Sequence, residues 1–144
     1  AINKTQREYV MKKIKQELWV VQDKLIAIFG LAFKPETDDV REAPSLYFVP
    51  KLEEMKAKLR AWDPVAEGKF KEIHPELECV PDLYECARGA DLVLILTEWD
   101  AVKKLDLKKL KDVMACPVIV DGRNVFDPEK IRALGFTYHS VGRN

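Results

Sequence analysis

The sequence predicts an α/β fold, and two observations support this. After residue 22, short apolar runs typical of strands alternate with segments of helical spacing, which is the pattern of a parallel sheet covered on both faces. The segment from Asp91 to Thr97 is nearly all apolar, as expected for a central parallel strand buried on both faces. We therefore expect a Rossmann-like, three-layer αβα domain whose mostly parallel sheet has about six strands, preceded by an N-terminal helix.

Composition fits one domain and excludes some functions. The 144 residues fall within the range of a single domain, and 24 basic residues balance 24 acidic ones. Zero net charge argues against a general nucleic-acid or membrane-surface binder, so anion recognition must come from a few placed cations.

No apolar run approaches the length of a membrane span and no secretory leader is recognised, so we expect a cytoplasmic protein. Cys79, Cys86 and Cys116 lack disulfide-framework or zinc-site spacing, and we expect buried, reduced thiols.

Residues 1–22 form the predicted N-terminal helix. Apolar residues recur at helical spacing between Lys, Arg, Gln and Glu, at positions Ile2, Val10, Ile14, Leu18 and Val21. No convincing start signal precedes them, as expected of a helix that has been cut. The pattern is equally compatible with an ordinary amphipathic helix that packs on its own domain.

The other elements follow in order along the chain. Strands are expected at residues 25–30, 59–62, 77–80, 91–97, 117–121 and 136–141. The helix after the first strand should begin near Pro44, where a missing amide hydrogen costs nothing, and continue through Leu59. Two later helices should begin near Pro81 and Asp127, because each site puts proline or an acid in a first turn and a glycine follows as a stop signal.

The most informative segment, GLAFKPETDDVREAP at residues 30–44, follows the first strand. Open α/β sheets bind ligands at the carboxyl ends of their strands. Here Gly30 permits close backbone approach, and Lys34 and Arg41 are cations suited to phosphate oxygens. A purely structural explanation stays open: the intervening Thr and Asp residues can cap the next helix, and Arg41 can pair with Glu36 or Glu42.

Four motifs in matching order carry a family resemblance. Residues 30–44 resemble the opening of the C-terminal, nucleotide-binding domain of the UDP-glucose/GDP-mannose dehydrogenase family. WDP at 62–64, LTEWD at 96–100 and VDGRN at 120–124 also match. The resemblance covers roughly residues 24–143 and implies a nucleotide-sugar (UDP)-binding domain over residues 23–144. Residues 1–22 would then be the distal end of the inter-domain helix that carries much of the dimer contact in this family.

The resemblance implies part of an NAD-dependent UDP-glucose 6-dehydrogenase, which converts UDP-glucose to UDP-glucuronate with two NAD per turnover. In that family the NAD-binding glycine loop and the catalytic cysteine belong to an N-terminal domain. The six glycines of this chain form no GxGxxG after the first strand, so a self-contained dinucleotide site is not expected. The chain alone should therefore bind but not oxidise. Its implied partners are UDP-glucose or a related nucleotide-sugar, the N-terminal NAD-binding domain and, in the intact enzyme, a second subunit.

The family motifs also imply roles for individual residues. Phe33, Lys34 and Arg123 would bind the substrate, with the Lys34 ammonium opposing the diphosphate or the forming carboxylate. Arg41 would reach toward NAD. No catalytic or metal-binding residue is expected.

Other polar groups can be explained by structural roles that involve no ligand. The Glu98-Trp99-Asp100 element could cap a helix beginning near Trp99 while the indole packs in the core. The lysines between residues 103 and 111 are expected to form a solvated face, and His74 and His139 have no visible partner. Two other functional classes stay open: the same domain of a GDP-mannose or UDP-N-acetylhexosamine dehydrogenase, and a ligand-free regulatory or assembly module.

Overall fold

The structure, a computed structural model, describes residues 3–141 and confirms the predicted α/β class. Six strands pair in parallel in a single sheet of order β3-β2-β1-β4-β5-β6. They are β1 Leu25–Phe29, β2 Lys58–Trp62, β3 Glu78–Cys79, β4 Leu92–Ile95, β5 Val118–Asp121 and β6 Thr137–Ser140. Each lies where the sequence predicted a strand. The order reverses between β1 and β4, which is the switch point of a doubly wound fold.

Seven described helices cover the sheet. They are α1 Lys4–Leu18, α2 Ser45–Glu54, α3 Glu67–Ile73, α4 Leu83–Ala87, α5 Asp100–Lys103, α6 Leu107–Val113 and α7 Pro128–Ala133. Side chains alternate between the faces of β1: Ile26 and Ile28 join the apolar cluster under α1 to α3, whereas Ala27 and Phe29 join the cluster under α4 to α7. The domain therefore has the predicted three layers.

The N-terminal helix differs from its prediction at both ends. Asn3 and Gln6 form a capping box: Asn3 Oδ1 accepts the Gln6 N–H at 2.8 Å, and Gln6 Oε1 accepts the Asn3 N–H at 3.1 Å. The expectation of a helix without a start signal is therefore wrong. The helix ends at Leu18, because Trp19 adopts φ 61°, and so residues 19–22 are not helical. Ile2 lies outside the described residues.

The helix buries its apolar face in the domain's own core, through residues that include Val10, Ile14 and Leu18. A polar contact also joins α1 to β6, because His139 Nε2 lies 2.8 Å from Glu17 Oε2. His74 likewise contacts Glu53. The prediction that the two histidines have no partner is thus wrong, because each meets a glutamate that is distant in sequence.

Two further boundaries differ from the sequence prediction. Helix α2 ends at Glu54 and the chain turns at Lys56, with φ 68°, so Leu59 belongs to β2 rather than to the helix. The lysine-rich stretch is divided into α5 and α6, because Asp106 starts a new helix by accepting the N–H groups of Lys108 and Lys109. The five lysines of this stretch are exposed, as predicted.

Candidate functional site at the carboxyl edge of the sheet

The candidate site lies where the loops after β1, β4 and β5 meet at the carboxyl edge of the sheet. Gly30 opens the first loop with φ 104°, and a Cβ placed there would lie 2.3 Å from both Cβ and Oγ1 of Thr97. Thr97 in turn donates its hydroxyl to the Ala32 carbonyl at 2.8 Å. The glycine therefore permits close approach of the β4 loop across the switch point, where the sequence had suggested approach of a ligand.

The Asp63 carboxylate, 7% exposed, joins three loops at this edge. Its Oδ2 accepts the N–H groups of Leu31 at 2.8 Å and Ala32 at 3.1 Å, together with the Trp99 indole N–H at 3.3 Å. Its Oδ1 accepts the N–H groups of Val65 at 2.9 Å and Ala66 at 2.7 Å. The chain's own carboxylate thus holds amides that follow β1, the place where dinucleotide-binding folds hold a pyrophosphate.

The other amides at the start of this loop are also engaged. The Gly30 N–H donates to the Trp62 carbonyl at 2.8 Å, and the Phe33 N–H donates to the Asp39 carbonyl at 2.9 Å. All four N–H groups of residues 30–33 therefore have partners within the domain. An anion that binds at these first four residues of the loop must be held mainly by side chains.

Lys34 is an exposed cation at the rim of this edge. Within residues 3–141 its ammonium has neither a hydrogen bond nor an ion pair. Phe33, half-buried, packs against the core and lines a surface cleft of about 380 Å³ with Asp39, Arg41 and Glu42. The loop thus carries one unpaired positive charge, on Lys34, next in sequence to the aromatic side chain of Phe33.

Arg41 forms a two-point ion pair with Asp39, at 3.1 Å from Nε to Oδ1 and 3.0 Å from Nη2 to Oδ2. The hydrogen-bonded guanidinium lowers the pKa of Asp39 to about 2. Arg41 is 89% exposed, so the pair is a local surface contact that a stronger anion can displace. The partner is Asp39 rather than Glu36 or Glu42, and the N-terminus of α2 has no side-chain cap from the preceding acids.

Arg123 follows β5 and forms an ion pair through Nε with Glu98, which follows β4. Buried Asp121 shapes the loop that carries this arginine: its carboxylate accepts the N–H groups of Arg123 at 2.8 Å and Val125 at 2.7 Å, and the Tyr138 hydroxyl at 2.6 Å. An Asp-Gly turn follows β5 at Asp121 and Gly122. The Asp121 carboxylate fixes it.

Strand order puts the predicted site residues at one edge of the sheet. Lys34 and Arg123 follow β1 and β5, which flank β4, so both belong to loops at the carboxyl edge. Sequence reasoning missed the connecting role of Asp63 and the pairing of Glu98 with Arg123. An acid directly after a strand is the available signal for Asp63, but three of its partners, Leu31, Ala32 and Trp99, lie more than 30 residues away in sequence. Trp99 is buried as predicted, although no side chain caps α5.

The three thiols, of Cys79, Cys86 and Cys116, are not paired in disulfides. Burial raises the pKa of both Cys79, to about 11, and Cys86, and a raised pKa disfavours a thiolate nucleophile. Cys116 is exposed, so the expectation of buried thiols is wrong for this residue. Among the described helices, none is long and apolar enough to cross a membrane.

The fold and this edge define an α/β domain of the doubly wound class with cationic side chains beside its switch point. Comparison with known proteins gives the family. Residues 27–128 match the model of the UDP-glucose/GDP-mannose dehydrogenase family, UDP binding domain, and the chain belongs to this family.

Named relatives agree with the family model. The chain is 41% identical over 142 residues to UDP-glucose 6-dehydrogenase TuaD of Bacillus subtilis, an alignment that covers 98% of this chain and 31% of that enzyme. It is 37% identical over 152 residues to UDP-glucose 6-dehydrogenase of Pseudomonas aeruginosa, covering 99% of this chain and 33% of that enzyme. The chain thus spans about a third of the length of these relatives.

Solved structures agree on the fold. A UDP-glucose dehydrogenase from Pyrobaculum islandicum superposes with a TM-score of 0.83 at 27% identity, covering 99% of this chain and 31% of that one. An NDP-N-acetyl-D-galactosaminuronic acid dehydrogenase from Methanosarcina mazei superposes with a TM-score of 0.81 at 28% identity, covering 97% and 29%.

Proposed function

We propose that this chain binds the UDP part of a nucleotide-sugar and is the substrate-binding domain of an NAD-dependent UDP-glucose 6-dehydrogenase. The single observation that carries the proposal is the exposed, unpaired Lys34 ammonium at the carboxyl edge of a domain whose family model is named for UDP binding. The relatives named above are UDP-glucose 6-dehydrogenases, which favours glucose as the sugar.

In this proposal the diphosphate is bound by side chains, because the amides of residues 30–33 are engaged within the domain. Lys34 and Arg123 oppose its negative charge, and the Phe33 ring lies against the ligand. Charge-assisted hydrogen bonds from lysine and arginine are the strong contacts available for such an anion.

The oxidation of the sugar alcohol needs NAD, which an N-terminal domain outside this chain would hold. The residues described here do not form a dinucleotide cradle: no GxGxxG follows β1, and Asp63 takes two of the N–H groups there. Arg41 is the one residue proposed to contact NAD, by exchanging Asp39 for a cofactor phosphate when the domains close. By itself the chain should bind UDP-glucose without oxidising it. In the intact protein, residues 1–22 would be the distal end of the inter-domain helix of a homodimer, and helical hydrogen bonds to preceding residues would replace the Asn3–Gln6 cap of α1.

Calorimetry with UDP and UDP-glucose tests the proposal. Lys34→Ala should weaken UDP binding roughly tenfold or more, since a hydrogen bond from a charged group contributes about 1.5–3 kcal/mol. Lys58→Ala is the matched control, because Lys58 is also exposed but begins β2 at the opposite edge of the sheet. Equal affinity of Lys34→Ala and the parent chain would refute the assignment of Lys34, and no UDP binding at all would favour a ligand-free module.

A second candidate is a related sugar specificity. The similarity to the Methanosarcina mazei dehydrogenase, which is named for a different nucleotide-sugar, is the observation that favours it. A thermal-shift panel of UDP-glucose, UDP-N-acetylglucosamine and GDP-mannose separates these choices, because stabilisation rises with the ratio of ligand concentration to Kd. The largest shift should come from UDP-glucose if the first proposal is correct.

A further inference from the structure

The ion pair between Arg123 and Glu98 leaves much of the arginine uncommitted. Its contact uses Nε, and within the described part of the chain the two terminal nitrogens have no hydrogen bond. Arg41 differs from Arg123 in this respect, because it donates both Nε and one terminal nitrogen, Nη2, to the Asp39 carboxylate. Guanidinium has five N–H donors in a rigid fork, so an arginine held by Nε still offers its terminal nitrogens to an anion.

Glu98 is fixed in place by the residues on either side of it. The Thr97 hydroxyl donates to the Ala32 carbonyl at 2.8 Å, and the Trp99 indole donates to buried Asp63 at 3.3 Å. Both neighbours are therefore tied to loops across the switch point. The carboxylate itself is one quarter exposed, at 25%, so it stands at the rim rather than in the core.

The backbone that carries Arg123 is equally constrained. The Gly122 N–H donates to the Ile95 carbonyl at 2.9 Å, and the Arg123 N–H donates to Asp121 at 2.8 Å. Both partners of the ion pair thus start from fixed backbone on the neighbouring strands β4 and β5. The side chain of Arg123 has many rotamers, and the contact with Glu98 selects among them.

We propose that Glu98 is a positioning residue for the anion site: it holds Arg123 by Nε so that its terminal nitrogens are ready for the diphosphate of the ligand. The proposal rests on the proposed function, since it concerns how the same site is prepared. Holding the guanidinium before binding removes part of the ordering cost that the ligand would otherwise have to offset. A carboxylate that instead competed with the ligand for Arg123 would lower affinity.

Calorimetry with UDP on the 144-residue chain tests this with a double-mutant cycle. Glu98→Ala should weaken UDP binding roughly two- to tenfold, the effect expected from freeing one rotamer-rich side chain. Glu98→Gln should restore affinity to within about twofold of the parent, because its amide oxygen still accepts from Nε. In an Arg123→Ala background, Glu98→Ala should have no further effect. Glu85→Ala, which breaks the surface pair with Arg88, is the control and should leave UDP affinity unchanged.

Three outcomes overturn the inference: tighter UDP binding by Glu98→Ala, affinity equal to the parent, or an unchanged effect of Glu98→Ala in the Arg123→Ala background. The third would assign Glu98 a role independent of the arginine. These results differ from failure of the proposed function, in which Arg123→Ala would bind UDP as tightly as the parent chain. Thermal melts of each variant identify any loss of folding, and the Gln variant retains the shape of the side chain.

Discussion

Asp63 provides the sharpest test of how this fold builds its carboxyl edge. We consider the substitution Asp63→Asn, which keeps the size of the side chain but replaces one carboxylate oxygen with an NH2 group. In the parent chain Oδ2 accepts three N–H groups and Oδ1 accepts two. An amide can accept on one side only, so at least two N–H donors would face another donor.

The size of the effect follows from the number of donors left without an acceptor. If the remaining oxygen takes the place of Oδ2, the N–H groups of Val65 and Ala66 lose their partner; in the other orientation three donors do. Each buried donor without a partner costs about 1–3 kcal/mol. The Ala66 N–H is buried but the Val65 N–H is only part-buried, so the expected loss is about 1–5 kcal/mol of unfolding free energy, against the 5–15 kcal/mol typical of a domain.

Urea denaturation followed by circular dichroism measures this loss directly. Asp82→Asn is the matched control, because Asp82 accepts a single exposed N–H, that of Glu85, at the start of α4. It should cost no more than about 1 kcal/mol. A loss below about 1 kcal/mol for Asp63→Asn would refute the reasoning, since it would mean that the five contacts do not hold the three loops together.

Two further predictions concern a glycine and the thiols. Gly30→Ala should lower the melting temperature measured by calorimetry, because the added Cβ would lie 2.3 Å from atoms of Thr97 and the residue would keep φ 104°. Gly68→Ala in α3 is the control and should not lower it, because the Cβ added there meets nothing within 4 Å. Equal melting temperatures for the two variants would contradict the close approach of Gly30 and Thr97. Exposed Cys116 should react rapidly with Ellman's reagent at pH 8. Half-buried Cys79, whose pKa burial raises to about 11, should be alkylated rapidly only as the pH nears 11, and fast modification of Cys79 at pH 8 would exclude the raised pKa.

The strands could be predicted from sequence because their signal is local. The apolar run of β4 indicates burial on both faces, and β4 is indeed the neighbour of β1 inside the sheet. Helix ends were less predictable for two different reasons. The Asn3–Gln6 capping box is a readable motif that the sequence analysis overlooked. The end of α1 has no such signal, since Trp19 is not a residue type expected at φ 61°.

The site could be predicted only in part, because its polar partners are distant in sequence. The motifs suggested Lys34, Arg41 and Arg123 as site residues, which stays a prediction, but no local pattern indicates that Glu98 meets Arg123, 25 residues away. That pairing follows from the adjacency of β4 and β5, which the order of the strands determines. The same holds for Asp63, whose contacts depend on three strand ends meeting at one edge.

The engaged amides at the start of the β1 loop explain how a doubly wound domain can lack a glycine-rich phosphate loop and still be suited to an anion. In the usual dinucleotide site, backbone N–H groups and a helix N-terminus hold the pyrophosphate. Here the Asp63 carboxylate accepts two of those amide N–H groups, so they have an acceptor within the domain without a ligand. In the proposed function, the charge of the ligand is then met by the longer side chains of Lys34 and Arg123. The carboxylate thus removes one binding mode and stabilises the loop that supports the other.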